Sequence, residues 1–600
     1  MVQGGTMSSI PRRDLIRSGA ALGVAGAALS LSSTAQAADS RFDSLTPLRP
    51  APDVAEGGSP SLPPLAALVY NKAAYGPRPG DIAAFNALGG NDPARLTAWV
   101  NQQLNPTGSD PAVTNRLNDL TLSSDPEDQV AYDTINKTAV QLWTEHARDS
   151  DYSIRNRPVW QMERLTLLRG CYSQWQLREV LYDFWFNHFN VYGREFPTFA
   201  MMPEYDRQLR THMFGNFLDM LTANSRTASM LYYLDNYANT WPNPNENYAR
   251  EVLELHTLGA IENYYGTVDP ETVGNNSKGQ RAGYTEIDVF QFARALTGWA
   301  VSDTTDDSPD TGEFMFRTNR HYNFSDGPIE VMDVTINGPG GGEADVTDIL
   351  TYLAQHYGTA RYVAWKLCTR LIGDNPPGSI VSSTADEFYN RRFDSDQLKE
   401  VYRHVLLSNE FQTTWGVKVA RPVETLVRAM RATDVDLTMR IDHGLSNGIY
   451  GRLDDTSHYP FGYAPPTGFP DEREFWQGAG PLVMSWRTVT YMLRNSNENL
   501  PGSGPFLNLA EQTNALIPSS ANRTPQNIVS EWMTRALGYA LPTVVSDRVE
   551  QFITGIAGIA ANQTLDDYTD TSNTGNSSTY QRIIRGVVGL LLMSPDAMRR

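Results

Sequence analysis

Apolar side chains recur about every 3.6 residues along most of the chain, and this spacing predicts amphipathic helices. Strand signals are few and scattered, and one short alternating run at 329–336 predicts a small β-hairpin. The predicted fold is therefore mainly α, a large multi-helix domain with long irregular insertions. The helical spacing covers residues 65–70, 81–88, 93–104, 130–148, 157–192, 203–224, 245–258, 285–299, 346–373, 384–412, 420–433, 481–495, 525–539, 545–560 and 579–598.

Three stretches interrupt the helical pattern because they are rich in turn-forming residues. We expect loop insertions at about 300–345, 434–480 and 563–578 within a helical domain that covers residues 65–600. A Pro- and Ser-rich linker precedes this domain at 38–64. The first insertion is acidic, but it lacks the Asp-x-Asp-x-Asp-Gly spacing of a helix–loop–helix calcium site.

Residues 1–37 have the features of a twin-arginine export signal. Arg12 and Arg13 lie in a charged segment, a weakly apolar run rich in Gly and Ala covers 18–31, and Ala-Gln-Ala at 35–37 fits the cleavage rule. The apolar run is too short to cross a bilayer, which needs about 20 residues. We therefore expect export to the periplasm or the cell exterior by the twin-arginine route, with no transmembrane anchor in the mature chain.

The charge and cysteine content exclude several classes of protein. The formal net charge of −19, from 49 basic and 68 acidic residues, argues against nucleic acid as a partner because phosphates would be repelled. Two cysteines, Cys171 and Cys368, are too few for a disulfide scaffold or a Cys-rich zinc module. They could pair outside the cell or remain two buried thiols. We expect a structural role because neither has a neighbouring His or a CxxC motif.

The densest cluster of charge lies in the predicted helix 245–258. On a helical wheel, one face of this helix carries three carboxylates, an amide and a guanidinium group. These side chains are Glu246, Asn247, Arg250, Glu251 and Glu254. Such a face could bind a divalent cation through oxygen, or supply a general acid or base whose pKa is set by Arg250. It could also be a solvated face stabilised by Glu246–Arg250 and Arg250–Glu254 ion pairs.

Two further segments contain candidate groups. His188 is centred on the apolar face of its predicted helix, so it is either a hydrogen-bonded core histidine or a desolvated imidazole that is neutral at pH 7. Asp235 and Asn236 precede the carboxylate-rich helix by a short loop, where they could cap helices, coordinate a hard cation or bind sugar hydroxyls. Thr285 and Asp288 are predicted to form a capping box.

Together these segments predict one oxygen-rich site. The sequence assigns no cofactor to it, although the carboxylates and amides are compatible with a divalent cation. The expected catalytic residues are Glu251, Glu254, His188 and Arg250. The expected substrate-binding residues are Asp235, Asn236, Asn245, Glu246 and Asn247.

Several motifs make the chain similar to a known family. They are Asn71-Lys72-Ala73-Ala74-Tyr75-Gly76-Pro77, Phe184-Trp185-Phe186-Asn187-His188-Phe189, Leu234-Asp235-Asn236, the run 245–259, Tyr284-Thr285-Glu286-x-Asp288-Val289, Leu296-Thr297-Gly298-Trp299 and Pro465-Pro466-Thr467-Gly468-Phe469-Pro470 with Trp476. With these motifs the chain resembles the large bacterial family described as domain of unknown function 1800, over about residues 62–598. The chain has His256 where that family usually has Phe, and Phe469 where it usually has Trp.

The resemblance implies a mainly helical, exported protein, often paired with another exported family of phosphatase- or sulfatase-like fold. It implies no established reaction. One hypothesis is an extracytoplasmic hydrolase or lyase that acts on a polymer through carboxylates or a divalent metal. The alternative is a non-catalytic envelope scaffold, or a partner of another exported protein. A redox protein is the least favoured class, because the chain has two cysteines and no haem motif.

Overall fold

A computed structural model describes residues 61–118, 131–338, 342–441, 444–494, 507–560, 562–565 and 579–600. The expected export signal, most of the expected linker and most of the expected insertion at 563–578 lie outside these residues. The described residues all belong to one compact unit. None of their helices is both long enough and apolar enough to cross a membrane.

Helices dominate the described residues, which confirms the mainly α fold that the apolar spacing predicts. The α-helices of the first half are α1 (Leu65–Lys72), α2 (Asp81–Asn86), α3 (Asp92–Gln103), α4 (Pro111–Asn118), α5 (Ala139–Leu142), α6 (Tyr152–Tyr172), α7 (Gln176–His188), α8 (Thr198–His212), α9 (Phe217–Ser225), α10 (Ala228–Tyr233), α11 (Asn247–Glu251), α12 (Ala260–Asn263) and α13 (Glu286–Ala295). Two π-helical turns, Trp143–Ala147 and Val252–His256, directly follow α5 and α11.

The second half of the chain continues with α-helices and short 3₁₀ turns. Its α-helices are α14 (Glu343–Ala354), α15 (Tyr357–Leu371), α16 (Gly378–Asn390), α17 (Gln397–Leu407), α18 (Asn409–Thr413), α19 (Pro422–Ala432), α20 (Gly444–Asp454), α21 (Arg473–Trp476), α22 (Ala479–Arg494), α23 (Leu509–Leu516), α24 (Pro525–Leu537), α25 (Thr543–Ala557) and α26 (Thr579–Leu592). The 3₁₀ turns along the described chain are Asn236–Ala238, Pro270–Thr272, Thr305–Asp307, Thr318–Arg320 and Ser520–Asn522.

Several long apolar-periodic stretches are divided into separate helices by capping residues. The stretch 157–192 becomes α6 and α7, because Ser173 has an extended backbone that ends α6. The stretch 346–373 becomes α14 and α15, since the His356 side chain accepts a hydrogen bond from the Gly358 amide and caps α15. Such breaks occupy only one or a few positions, so the apolar spacing continues past them without a visible interruption.

Two small antiparallel sheets lie in the segment after α13. Strands β1 (Trp299–Asp303) and β2 (Asp310–Phe316) pair in one sheet, and β3 (Ile329–Val331) and β4 (Val334–Ile336) pair in the other. The second sheet confirms the predicted hairpin at 329–336. The first was missed because every residue of β1 is buried, so the strand has no alternation of apolar and polar positions.

The helical core fixes α7, the helix that carries His188. Helix α6 packs against α8 and α19, and α7 lies beside both α6 and α8. Trp185 of α7 is fully buried, and its indole N–H donates to the hydroxyl of Tyr402 at 2.5 Å. Because this large side chain is packed in the helical core, it fixes the orientation of α7. Asp183, Asn187 and His188 on the same helix are thereby held in place.

The expected loop at 434–480 includes α20 and α21, and its last part returns to α7. The side-chain amide of Asn190 donates to the carbonyls of Tyr463 and Pro465 at 3.0 and 2.8 Å. The amide N–H of Phe469 donates to Oδ1 of Asn187 at 2.9 Å. Hydrogen bonds therefore connect the Pro-Pro-Thr-Gly-Phe-Pro motif to the C-terminal end of α7.

Candidate functional site

The carboxylate-rich segment is not one regular α-helix. It begins as α11 and changes to a π-helical turn at Val252, within the stretch where the sequence predicts continuous α-helix. The hydroxyl of Thr257 donates to the carbonyl of Val252 at 2.7 Å and helps to close this turn. A π turn changes the rotation per residue, so the positions of Glu254 and His256 cannot be read from an α-helical wheel.

Arg250 connects this segment to α13 through ion pairs. It forms a bidentate pair with Glu286 of α13, with N–O distances of 3.0 and 2.8 Å. It also lies 3.2 Å from Glu246 and 3.6 Å from Glu254, so the two predicted ion pairs are both present. The hydroxyl of Tyr264 donates to Glu286 as well. The hydrogen bonds from Arg250 and Tyr264 lower the pKa of Glu286.

The two carboxylates that follow Arg250 differ in exposure. Glu251 is 7% exposed and forms no hydrogen bond or ion pair among the described residues. Burial, together with the neighbouring charge of Glu254, raises the pKa of Glu251 to about 7. The Glu254 side chain is 24% exposed, and burial raises its pKa despite Arg250. Both carboxyl groups therefore gain protons more readily than ordinary glutamates.

A cleft of about 360 Å³ lies between α7 and α15, and several charged side chains line it. Helix α15 contributes one face, with side chains at intervals of three and four positions. The π turn, α12 and the 467–472 loop complete the walls. The polar side chains that line the cleft are Asp183, Asn187, His188, Glu254, Lys366, Thr369, Arg370, Arg421, Thr467, Asp471 and Glu472. The larger apolar and aromatic ones are Phe184, Leu255, Ile261, Tyr362, Trp365, Phe469 and Pro470.

His188 connects the π turn to α15. Its Nε2 lies 3.0 Å from the carbonyl oxygen of His256, and its Nδ1 lies 3.1 Å from Nζ of Lys366. A carbonyl oxygen only accepts hydrogen bonds, so Nε2 carries the proton and Nδ1 accepts from Lys366. Burial and the charge of Lys366 hold the pKa of His188 well below its usual value. The imidazole is therefore neutral with a fixed tautomer.

Lys366 is the amine of the cleft. It is partly buried, and among the described residues it forms no ion pair with a carboxylate. Burial lowers its pKa to about 8, although the charges of Asp471 and Glu472 oppose this shift. An amine with that pKa can gain or lose a proton near neutral pH, as a general acid or base must.

A network of buried ion pairs forms the other end of the cleft. Arg370, which is 2% exposed, donates to Asp183 at 3.0 Å, to Glu424 at 2.6 Å and to Asp471 at 3.2 Å. Arg421 pairs with Asp183 and Glu424, and Arg600 pairs with Glu424. Although burial alone would raise it, the pKa of Glu424 is held well below its usual value by these guanidinium groups. The network fixes the positions of the charged side chains at this end.

The structure brings together part of the predicted site. His188 and Glu254 line the cleft, whereas Glu251, which is buried in the same segment as Glu254, is not among the lining residues. Arg250 and Glu246 are not among the lining residues. Arg250 instead forms ion pairs with Glu246 and Glu286.

The predicted amide-rich loop lies outside the cleft lining and bonds largely to backbone. Asn236 donates to the carbonyl of Trp299 at 3.1 Å, and Asn247 donates to that of Leu234 at 3.2 Å. Asn245 donates to the carbonyl of Asp235 at 3.4 Å. Asp235 itself has a left-handed backbone, with φ of 62°, at the start of a 3₁₀ turn. These hydrogen bonds hold the loop that precedes the carboxylate segment.

Other predicted features have structural partners. Thr285 and Asp288 form the predicted capping box of α13. In the acidic insertion, Asp303, Asp306 and Asp310 are each paired with an arginine. Within the described ranges, no group of three His, Cys, Asp or Glu side chains is placed to hold a metal ion.

The two cysteines are separate in the fold. Cys171 and Cys368 are both buried free thiols. Burial raises the pKa of Cys171 to about 11 and that of Cys368 to about 12. Neither thiol is therefore activated as a nucleophile.

Sequence reasoning missed Lys366, Arg370 and Asp471. All three line the cleft, and the first two lie on one face of α15. One signal was available, because Lys366 is one of only six lysines in the chain and falls within an apolar stretch of a predicted helix. The ion-pair partners of Arg370 come from positions 54 to 187 residues away, so no local pattern indicates them.

Comparison with known proteins supplies the family. No curated protein and no solved structure gives a significant match to the chain. A family model described as protein of unknown function (DUF1800) matches residues 68–599, which is nearly the whole chain. The match includes every residue that lines the cleft. The chain therefore belongs to the DUF1800 family.

Proposed function

We propose that this protein is an exported acid–base enzyme, a hydrolase or lyase, that acts on an extracytoplasmic polymer in the cleft between α7 and α15. One observation carries the proposal: the carboxyl group of Glu254 and the amine of Lys366 line the same cleft, and the amine is held by His188. Both groups have pKa values shifted toward neutrality. Such pairs are characteristic of sites that move protons.

The histidine acts as a positioning residue in this proposal. His188 cannot take a proton easily, because burial and Lys366 lower its pKa and both ring nitrogens are already engaged. Lys366 is instead the general base, since a neutral amine can donate to Nδ1 of His188 and still keep its lone pair. Glu254 then supplies the proton for the leaving group. The charge of Glu254, together with burial, raises the pKa of the neighbouring carboxyl group of Glu251.

The walls of the cleft fit a chain-like substrate with both apolar and polar faces. Tyr362 and Trp365 on α15 have their rings stacked at 6.3 Å and 26°, one turn before Thr369. Flat rings beside hydrogen-bonding groups are suited to sugar rings or to peptide side chains. We expect the polymer to lie outside the cytoplasm because the sequence predicts an export signal. No group in the proposal requires a metal ion.

The test is turnover of polymers by the mature wild-type protein. A panel of neutral polysaccharides, uronic-acid polysaccharides, peptidoglycan and polypeptides is assayed for new chain ends and for ultraviolet absorbance of unsaturated ends, which separates hydrolysis from elimination. Glu254→Gln and Lys366→Met should each lower turnover at least ~100-fold, the usual range for loss of an acid–base group. The matched controls Glu313→Gln and Lys399→Arg change one exposed and one half-buried residue, neither of which lines the cleft, and should leave turnover unchanged.

Folding of each variant is checked by circular dichroism and thermal unfolding. Turnover that survives both cleft substitutions would contradict the proposal. If the wild-type protein cleaves no member of the panel, the alternative of a non-catalytic envelope scaffold or partner is favoured, and binding of the same polymers is then measured directly.

A further inference from the structure

Lys366 differs from the other five lysines of the chain in its surroundings. Lys137, Lys278 and Lys399 lie near the surface beside Glu145, Asp386 and Asn105. Lys72 is buried but donates to the carbonyls of Phe411 and Thr414, and Lys418 pairs with Asp374 and Asp471. Lys137 also contacts an imidazole nitrogen, that of His146, but its amine is paired with Glu145. The amine of Lys366 contacts the imidazole of His188, forms no ion pair among the described residues and lines a cavity. Among the described residues, the Lys366 nitrogen therefore has no hydrogen bond or ion pair to a carboxylate or carbonyl oxygen.

The hydrogen bond with His188 leaves the reactive part of this amine free. Nδ1 of His188 needs only one N–H from Lys366, because Nε2 is held as a donor by the His256 carbonyl. A neutral amine in that position retains a second N–H and its lone pair. No carboxylate lies within ion-pair distance in the described part of the chain to keep the amine protonated.

We propose that Lys366 is a covalent nucleophile, whose amine condenses with an aldehyde or ketone carbonyl of the substrate to form an imine. This inference rests on the proposed function: it gives the substrate a carbonyl group and replaces the direct removal of a proton by Lys366 with attack of the same lone pair on that carbonyl. In the step, the nitrogen lone pair forms the bond to the carbonyl carbon. The amine loses two hydrogens, and the carbonyl oxygen leaves with two hydrogens as water, so that a C=N bond replaces the C=O bond.

Two features of the cleft support this step. Glu254, in the same cleft, can give the proton that the departing oxygen requires. With a pKa of about 8, roughly a tenth of the amine is neutral at pH 7, against less than a thousandth for an ordinary lysine. Desolvation beside Tyr362 and Trp365 activates the amine in the manner known for other nucleophilic lysines.

The experiment traps the imine in the wild-type protein. The full mature chain is incubated at pH 7 with glycolaldehyde as the carbonyl probe and sodium cyanoborohydride as the reductant, and is then digested with trypsin. Unmodified protein gives the peptide Tyr362–Lys366, whereas an adduct on Lys366 blocks cleavage and gives Tyr362–Arg370. With only six lysines, every site can be quantified by mass spectrometry.

We expect labelling at Lys366 to exceed labelling at Lys399 at least ~10-fold, and to rise with pH with a midpoint near 8. Lys366→Arg should abolish the dominant adduct, whereas Lys399→Arg should leave it unchanged. The pH profile uses only wild-type protein, so it decides the question even if Lys366→Arg does not fold. Equal labelling of Lys366 and the surface lysines would overturn the inference.

The trapping experiment and the turnover assay test the imine inference and the acid–base proposal separately. If Lys366 is not preferentially trapped but Glu254→Gln and Lys366→Met still lose polymer turnover, Lys366 acts only as a base. If Lys366 is trapped but turnover survives both substitutions, the amine is reactive without serving the proposed reaction, and the proposed function is overturned.

Discussion

Nδ1 of His188 and Nζ of Lys366 lie 3.1 Å apart although 178 positions separate them in the sequence. The first residue was singled out as a histidine on an apolar helix face, and the second was missed. Their contact gives the histidine a partner and the lysine an acceptor, and it places both beside a cavity. The site is therefore defined by a relationship between two helices, α7 and α15.

Turnover should follow a bell-shaped pH profile. The productive cleft holds one proton between Glu254 and Lys366, so activity falls when both are protonated at low pH and when both are deprotonated above about pH 8. The groups that face Lys366 are His188, His256, Tyr362, Asp471 and Glu472. We assign the alkaline limb to Lys366, whose pKa is lowered to about 8. The measurement is kcat/KM across the stable pH range, and a rate that keeps rising well past pH 9 would contradict the assignment.

Glu251→Gln should stabilise the protein at alkaline pH. The folded-state pKa of Glu251 is about 7 and its ordinary value is 4.5, so ionisation penalises the folded state. The stability tied to this group is complete below pH 4.5 and is lost as pH rises through about 7. At pH 8 the variant should gain about 2–3 kcal/mol over wild type in denaturant unfolding.

The comparison at pH 4 serves as the internal control, because the neutral carboxyl and the amide should then have nearly equal stability. Glu313→Gln, at an exposed position of β2, should show no such pH-dependent gain. An equal stability difference at pH 4 and pH 8 would mean that Glu251 ionises without a penalty.

Glu424→Gln should be strongly destabilising. The carboxylate is 4% exposed and pairs with Arg370, Arg421 and Arg600. Its neutral amide would leave these buried guanidinium groups undercompensated, at a cost of about 3–5 kcal/mol in the free energy of unfolding. Denaturant unfolding at pH 7 measures the loss. A loss below about 1 kcal/mol would show that the network rearranges around the amide.

Gly468→Ala should open the cleft at its loop side. Gly468 has φ of 71°, and a Cβ atom there would overlap the carbonyl oxygen of Asn187. The backbone strain alone costs about 1–2 kcal/mol, and the overlap must separate the motif from α7. We expect kcat/KM to fall at least ~10-fold with a modest loss of thermal stability.

Gly480→Ala is the matched control, since Gly480 lies near the start of α22 with open space around it and no positive φ. It should retain full activity and equal or slightly higher stability. If Gly468→Ala retains wild-type turnover, the contact between the loop and Asn187 does not shape the cleft.

The fold was predictable from the sequence where elements are amphipathic, and less so where they are buried throughout. The helices and the β3–β4 hairpin follow from apolar spacing, and the capping box of Thr285 and Asp288 follows from local chemistry. Strand β1 was not predictable in this way, because all five of its residues are buried. The boundaries between α6 and α7 depend on one backbone angle at Ser173, which the spacing does not encode.

The candidate site was predictable only in its local parts. Glu246, Arg250 and Glu254 are neighbours on one segment, so their ion pairs could be expected from spacing. The decisive partners, Glu286 for Arg250 and Lys366 for His188, come from other helices. The sequence predicts Asn236 and Asn247 as substrate-binding residues, and in the fold their amides donate to backbone carbonyls. These partners were not predictable, because a sequence does not reveal which backbone carbonyls a fold leaves in need of donors.

Because the segment Val252–His256 forms a π turn, the number of residues in it should matter for function. The carbonyl oxygen of His256, the last residue of this turn, lies 3.0 Å from Nε2 of His188, and a π turn is wider than an α-helical turn. Removing one residue from the turn would favour a regular α-helix, which would move that carbonyl oxygen and would also rotate Glu254 and Leu255, the two residues of the turn that line the cleft. His188 would then lose the acceptor that sets its tautomer, so single-residue deletions should be tolerated far less here than substitutions of the same residues.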